Sequence, residues 1–189
     1  AYAADYQAFV EKVKAAEARL GTTTRLSEAV ARYLFKLMAY KDEYEVARLH
    51  TDKAFTDKIA NMFEGDYKVV HHLAPPMIAK KNDKGELVKQ PFGPWMRSAF
   101  GVLAKMKGLR GTALDLFGKT EERRMERALI VEYRACIDEL LARLSTDNLA
   151  LAVEIACIPE DIRGYGHVKE RHLNVARPKR DGLMAQWRG

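Results

Sequence analysis

The chain has 189 residues, 48% of them apolar and 31% charged, and carries a net charge of +6. That length allows one substantial core, so a single domain over 1–189 is expected, and the composition excludes a disordered chain. Arg, Lys or Asp interrupts every apolar run before it could span a bilayer, so no membrane partner is expected.

The first residues, Ala-Tyr-Ala-Ala-Asp-Tyr6, have neither the basic start nor the apolar stretch of a signal peptide. They lack an initiator Met and begin almost inside a helix, which suggests a fragment of a longer polypeptide. Tyr6, Phe9, Val13, Ala16 and Leu20 recur at spacings of three and four, which predicts an amphipathic helix over 2–20. Gly21 is expected to end it as a left-handed C-cap. Thr24 or Ser27 is then expected to cap a long helix from Arg25 to His50, a stretch without Gly or Pro and rich in Ala, Leu, Met, Glu and Lys.

That long helix is the most informative part of the chain. Leu26, Val30, Tyr33, Leu34, Leu37, Tyr40 and Tyr44 form one apolar face, with Glu28, Arg32, Lys36 and Glu43 opposite. In its second half Lys41, Glu45 and Arg48 fall on the continuation of the apolar face. Pairing of Lys41 with Glu45 and of Glu45 with Arg48 would make them ordinary surface pairs, a covered ion network, or a contact with another domain.

Asp52 is expected to open a shorter helix through Phe55, Ile59, Met62 and Phe63, closed near Gly65. The pattern then changes. Tyr67–Leu73 is β-prone, Pro75-Pro76 forbids a helix, 81–86 reads as a turn, and Leu87–Lys89 is a short strand candidate. A small β-hairpin or irregular insert is therefore expected around residues 66–94, with Pro91 and Pro94 at its exit.

Trp95 to about Leu109 reads as helical, and Gly108–Gly118 as a loop or broken helix. Thr120 caps a helix to about Leu144 that runs through Met125, Leu129, Tyr133, Ile137 and Leu140. At its start Arg123, Arg124 and Arg127 face Glu121, Glu122 and Glu126, the pattern of a solvated, salt-bridged turn. Thr146 or Asp147 is expected to cap a helix from Leu149 to Ile158, stopped by Pro159. A basic last helix begins near Val168, and Pro178 is expected to break or kink it. The whole is a mainly α, multi-helix fold.

The chemistry is sparse. There is no phosphate loop, dinucleotide fingerprint, Gly-x-Ser-x-Gly or His-Glu-x-x-His motif. Cys136 and Cys157 lie on separate predicted helices and read as buried thiols in a reducing cytoplasm. Two cysteines cannot hold an iron–sulfur cluster by four thiolates. His71 and His72 point to opposite faces of a strand, and His167 and His172 stand too far apart around a helix to share a metal. No catalytic, cofactor-binding or metal-binding residue is assigned. The most site-like segment is Arg163-Gly-Tyr165-Gly-His167-Val-Lys169, in which two glycines flank an aromatic between cations. Residues 163–189 hold seven Lys/Arg against two Asp/Glu, and 97–134 hold nine against five. A basic interaction module for nucleic acid or an acidic protein is one reading. The absence of a known binding motif and of interleaved stacking aromatics argues against nucleic acid.

Several blocks carry a broader likeness: Arg32–Leu49, Gly65–Lys68, Phe92-Gly-Pro-Trp-Met96, Leu109–Thr112, Thr120–Arg127 and Ile162–Glu170, together with the segment 72–76. In this order, from about Thr24 to Arg188, the chain resembles the C-terminal domain of the fused indolepyruvate ferredoxin oxidoreductases, in the 2-oxoacid:ferredoxin oxidoreductase family. The resemblance implies an enzyme that oxidatively decarboxylates an aryl 2-oxoacid to its acyl-CoA and passes electrons to ferredoxin. Thiamine diphosphate and iron–sulfur clusters would be bound by upstream domains of the same polypeptide, and none by these residues. The implied partners are those upstream domains, ferredoxin, and further copies of the full-length enzyme. The implied contact residues for the rest of the enzyme are Lys41, Glu45, Arg48, Arg163, Tyr165, His167 and Lys169. The domain alone is expected to be inactive.

Overall fold

The computed structural model describes residues 2–75, 79–80, 82–83, 87–115 and 117–189. The chain is mainly α, as its periodicity predicts, and it folds as two compact units, residues 1–40 with 120–189, and residues 41–119.

The first unit holds five helices, α1 (Tyr2–Glu17), α2 (Arg25–Met38), α6 (Glu121–Ala142), α7 (Leu149–Cys157) and α8 (His167–Arg188). Its core joins Val13 of α1, Leu26, Val30, Leu34 and Leu37 of α2, Leu129, Tyr133, Ile137 and Leu140 of α6, Ile155 of α7, and Leu173 and Trp187 of α8. The α2 start is not capped by the Thr24 or Ser27 side chain. Glu17, fully buried at the end of α1, does it instead. Its Oε1 accepts the Leu26 N–H at 2.7 Å, and its Oε2 accepts the Ser27 N–H at 2.8 Å and the Ser27 hydroxyl at 2.7 Å. Two of these three donors are backbone N–H groups that a helix N-terminus otherwise leaves orphaned.

The second unit holds α3 (Glu43–Thr51), α4 (Lys53–Ala60), β1 (His71–Leu73), β2 (Gln90–Phe92) and α5 (Met96–Lys105). β1 and β2 pair antiparallel, with His71 opposite Phe92 and Leu73 opposite Gln90. This is the small hairpin expected in 66–94, although its second strand lies just after Leu87–Lys89. The turn at 81–86 falls largely outside the described residues. The unit's core is small, with Ala47, Met96 and Phe100 buried and Leu73, Phe92 and Leu103 packed against them.

Several expectations are corrected. The 25–50 helix is two helices, because Ala39 leaves helical geometry and Asp42 starts α3 by accepting the N–H groups of Tyr44 (3.0 Å) and Glu45 (3.4 Å). The helix opened by Asp52 ends at Ala60, so Met62 and Phe63 lie beyond it and are exposed. Asn148, not Thr146 or Asp147, is the α7 N-cap. α7 ends at Cys157, just short of Pro159 as expected, and a 3-10 turn over Ile158–Asp161 follows with Pro159 near its start. The last helix runs unbroken through Pro178. It is anchored on both sides of the proline by Leu173, Ala176, Met184 and Trp187, all buried, and tertiary packing here outweighs one lost backbone bond.

Candidate functional site

In the first unit, the segment Arg163–Lys169 is fixed by its glycines and by α6. Gly164 has φ +79°, and a Cβ there would meet Val168 Cγ1 at 2.6 Å, so no other residue fits without displacement. The Gly166 N–H donates to Glu122 Oε1 at 2.9 Å, placing a carboxylate at the N-terminus of α8 where the helix dipole favours it. Arg163 Nε donates to the Glu160 carbonyl, and the Arg163 carbonyl meets His172 Nδ1 at 2.8 Å. Arg163, Tyr165 and His167 are exposed, but Lys169 is not.

Lys169 turns inward and donates to Glu126 Oε1 at 2.8 Å, and Arg123 holds the other oxygen of Glu126. Arg123, Glu126 and Lys169 are all buried, and the Arg123 guanidinium lies over the Tyr40 ring, 5.6 Å from its centroid. Arg123 and Glu126 are therefore not the solvated turn that the charge pattern suggests. Their neighbours supply the reason: Arg123, Glu126, Leu129, Tyr133, Ile137 and Leu140 form one inward stripe on α6. Charged residues also continue an apolar face at Lys41–Arg48, yet the covered network of that kind is here. Nearby, Lys36 donates to the Pro159 and Glu160 carbonyls, and burial, with the charges of Arg163 and Lys169, pushes its ammonium pKa down. The Tyr33 hydroxyl donates to Glu160 at 2.9 Å, and its pKa is pushed up to about 12, chiefly by burial.

In the second unit, Lys41, Glu45 and Arg48 form surface pairs. Arg48 Nε lies 3.0 Å from both Glu45 carboxylate oxygens, its Nη2 donates at 2.7 Å, and Nη1 reaches Asp52 at 3.3 Å. The hydrogen bonds from Arg48 hold the Glu45 carboxyl below its usual range. Lys41 precedes the helix and pairs with Glu43 at 3.8 Å, not with Glu45. All three remain open to solvent to a substantial degree.

Two features of this unit carry no clear sequence signal. Buried Asp115 accepts N–H groups from Gly111 (2.8 Å), Gly118 (2.9 Å) and Phe117 (3.2 Å) and the Tyr44 hydroxyl (3.2 Å). Burial pushes its carboxyl up, but these donors outweigh burial and hold it low. A Cβ on Gly118 would meet the Asp115 carboxylate at 2.2 Å, so the loop closes tightly only because that residue is glycine. Second, the His50 ring stacks on Phe100 at 4.9 Å, and the His71 ring stands edge-on to both, at 5.2 Å from His50 and 5.3 Å from Phe100. Burial and the neighbouring His50 lower the His71 pKa.

Among the described residues, no group of three or more His, Cys, Asp or Glu side chains could hold a metal ion, and no helix is long and apolar enough to cross a membrane. Cys136 and Cys157 are free, half-buried thiols whose pKa values burial raises. A cavity of about 40 Å³ in the first unit is floored by Leu37, Leu129, Ile155 and Leu173, with Glu132, Arg177 and Arg180 among its lining. It is large enough for about one or two waters.

A family model matches residues 1–182. The chain belongs to DUF6537, a family of unknown function. The DUF6537 match extends over both units, so the buried Arg123–Glu126–Lys169 network and the α3–α5 unit lie within the family's extent. No curated protein and no solved structure matches the chain.

Proposed function

We propose that this chain is an accessory module of a 2-oxoacid:ferredoxin oxidoreductase of the fused indolepyruvate type, packing against other domains and not catalysing turnover itself. In the whole enzyme an aryl 2-oxoacid would be decarboxylated to its acyl-CoA on thiamine diphosphate, with electrons leaving through iron–sulfur clusters to ferredoxin. The ordered sequence blocks from Thr24 to Arg188 support the oxidoreductase reading.

One structural observation supports the packing role. Of the sixteen large apolar side chains exposed among the described residues, eleven belong to residues 41–119. Phe55, Met62, Phe63 and Tyr67 are among them, and the Phe63 and Tyr67 rings lie 5.6 Å apart. A unit with so small a core and so much uncovered apolar surface is built to be covered. The ion-paired residues Lys41, Glu45 and Arg48, exposed or half-buried, and exposed Arg163, Tyr165 and His167 are proposed to border such contacts. Lys169, being buried, would act only by holding its loop.

The reading of α8 as a nucleic-acid helix draws less support. Five of its six Lys/Arg side chains lie against carboxylates of the same unit: Glu126, Glu132, Glu139, Asp161 and Asp181.

The test is purification of the native polypeptide carrying this sequence from its own cells. A chain much larger than 21.4 kDa that holds thiamine diphosphate and oxidises indolepyruvate is the expected result. A free chain of this size without the cofactor would sink the oxidoreductase reading. Turnover of indolepyruvate by these 189 residues alone would sink the accessory role.

A further inference from the structure

The two basic stretches of the sequence end up in different electrostatic states. The α8 cations are neutralised within their own unit, as described above. Residues 93–114 are not: they contain Arg97, Lys105, Lys107 and Arg110 and no Asp or Glu at all. Arg110 pairs with Asp42 and, with Lys107, acts on the Glu45 carboxylate, whereas Arg97 and Lys105 are exposed and form no ion pair among the described residues.

The same segment presents two large apolar side chains outward, on a face it shares with small and polar residues. α5 buries Met96 and Phe100 on its inner face. Trp95, Ser98, Val102 and Lys105 follow at spacings of three, four and three and share the opposite side, with Ala99 beside them and all five exposed. Trp95 is 61% exposed and Val102 63%. Trp95 is nevertheless held in place: its ring packs edge-on against Phe92 at 5.9 Å and lies over Gly93, where a Cβ would come within 3.7 Å of it. A fixed tryptophan with an apolar neighbour and an uncompensated cationic rim has the composition of a protein-binding anchor.

We propose that the outer face of α5, with Trp95 and Val102 at its centre and Arg97 and Lys105 at its rim, docks an acidic protein surface that has an apolar centre. The inference follows from charge and exposure alone and is independent of the oxidoreductase reading. The unpaired cations steer and orient the acidic partner, and burial of Trp95 supplies the binding energy. A nucleic-acid strand is a poorer match, because this face offers one aromatic ring and not a series of stacking platforms. A lipid surface is also poorer, because the larger apolar face of α5 is already spent on the unit's core.

The test uses a fluorescent peptide of repeating Leu-Glu-Glu-Leu-Glu-Glu-Glu heptads as the acidic probe, followed by anisotropy. It is compared with phosphatidylserine vesicles and a mixed-sequence DNA strand. Binding of the peptide should weaken by about tenfold or more in Trp95→Ala, and also in the double variant Arg97→Glu, Lys105→Glu. Arg171→Glu on α8 should leave it unchanged. All these side chains are exposed, and an unaltered circular dichroism spectrum confirms that each variant is folded. Equal peptide binding by the wild type and the α5 variants would overturn the proposal. So would Trp95-dependent binding of vesicles or DNA tighter than that of the peptide.

Discussion

The two units of this chain place their ion-pair networks in opposite ways. Residues 1–40 with 120–189 enclose an ion network, Arg123–Glu126–Lys169, beside a large aliphatic core. Residues 41–119 keep the Glu45–Arg48–Asp52 network at the surface, above a core of few side chains. Covered charge is specific but unforgiving, since losing one member leaves the others without solvent or partner. Surface charge is replaceable, and a unit that relies on it retains an open apolar face. The difference separates a unit with a large aliphatic core from one with a small core and most of the exposed large apolar side chains.

The sharpest way to break this contrast is Glu126→Gln. It leaves the Arg123 and Lys169 cations buried without their carboxylate, and a loss of about 3–5 kcal/mol in chemical denaturation is expected. A loss below about 1 kcal/mol would mean that water reaches the network and that the units differ less than described. A smaller effect should appear in the second unit as pH falls. The His71 pKa is lowered in the folded protein by burial and by His50, so folding favours the neutral ring. Its contribution is complete above the unfolded value of about 6.5 and is lost as pH drops through the lowered folded value. Corrected for the intrinsic slowing of exchange at lower pH, amide protection should therefore fall at His71–Leu73 and at Gln90 and Phe92 below that pH, while α6 amides keep theirs. Equal loss in both units would count against a local origin. The smallest effect is expected from Glu45→Ala, whose exposed pairing with Arg48 should leave the denaturation midpoint unchanged. A clear destabilisation would show that this surface network is covered after all.

Much of the architecture was legible where periodicity is long. Leu129, Tyr133, Ile137 and Leu140 mark the buried side of α6, and Thr120 does cap it, accepting the Arg123 N–H at 3.3 Å. The break at 39–42 was not legible, because Ala39, Tyr40 and Lys41 are all tolerated in a helix and only the Asp42 cap competes with continuation. The buried triad was half legible. Arg123 and Glu126 extend an apolar stripe, a pattern visible in the sequence, but Lys169 lies 43 residues further on and nothing local announces it. Of the expected contact residues, Lys169 is the one that proves interior. Partner identity is less legible still, since the α5 and α8 cations look alike in sequence and differ only in which carboxylates the fold brings to them.

The relation of α1 to α2 has a practical consequence for dissecting the protein. α1 works as a splint along its neighbour. Glu17 closes the start of α2, the Tyr6 hydroxyl donates to the Ala31 carbonyl at 3.0 Å, and the Tyr2 hydroxyl donates to the Met38 carbonyl at 3.2 Å. A truncation at Gly21, the natural cut between two predicted helices, would remove all three braces together and strip the first unit's central helix at both ends. A version of the first unit that keeps all three braces begins at or before Tyr2.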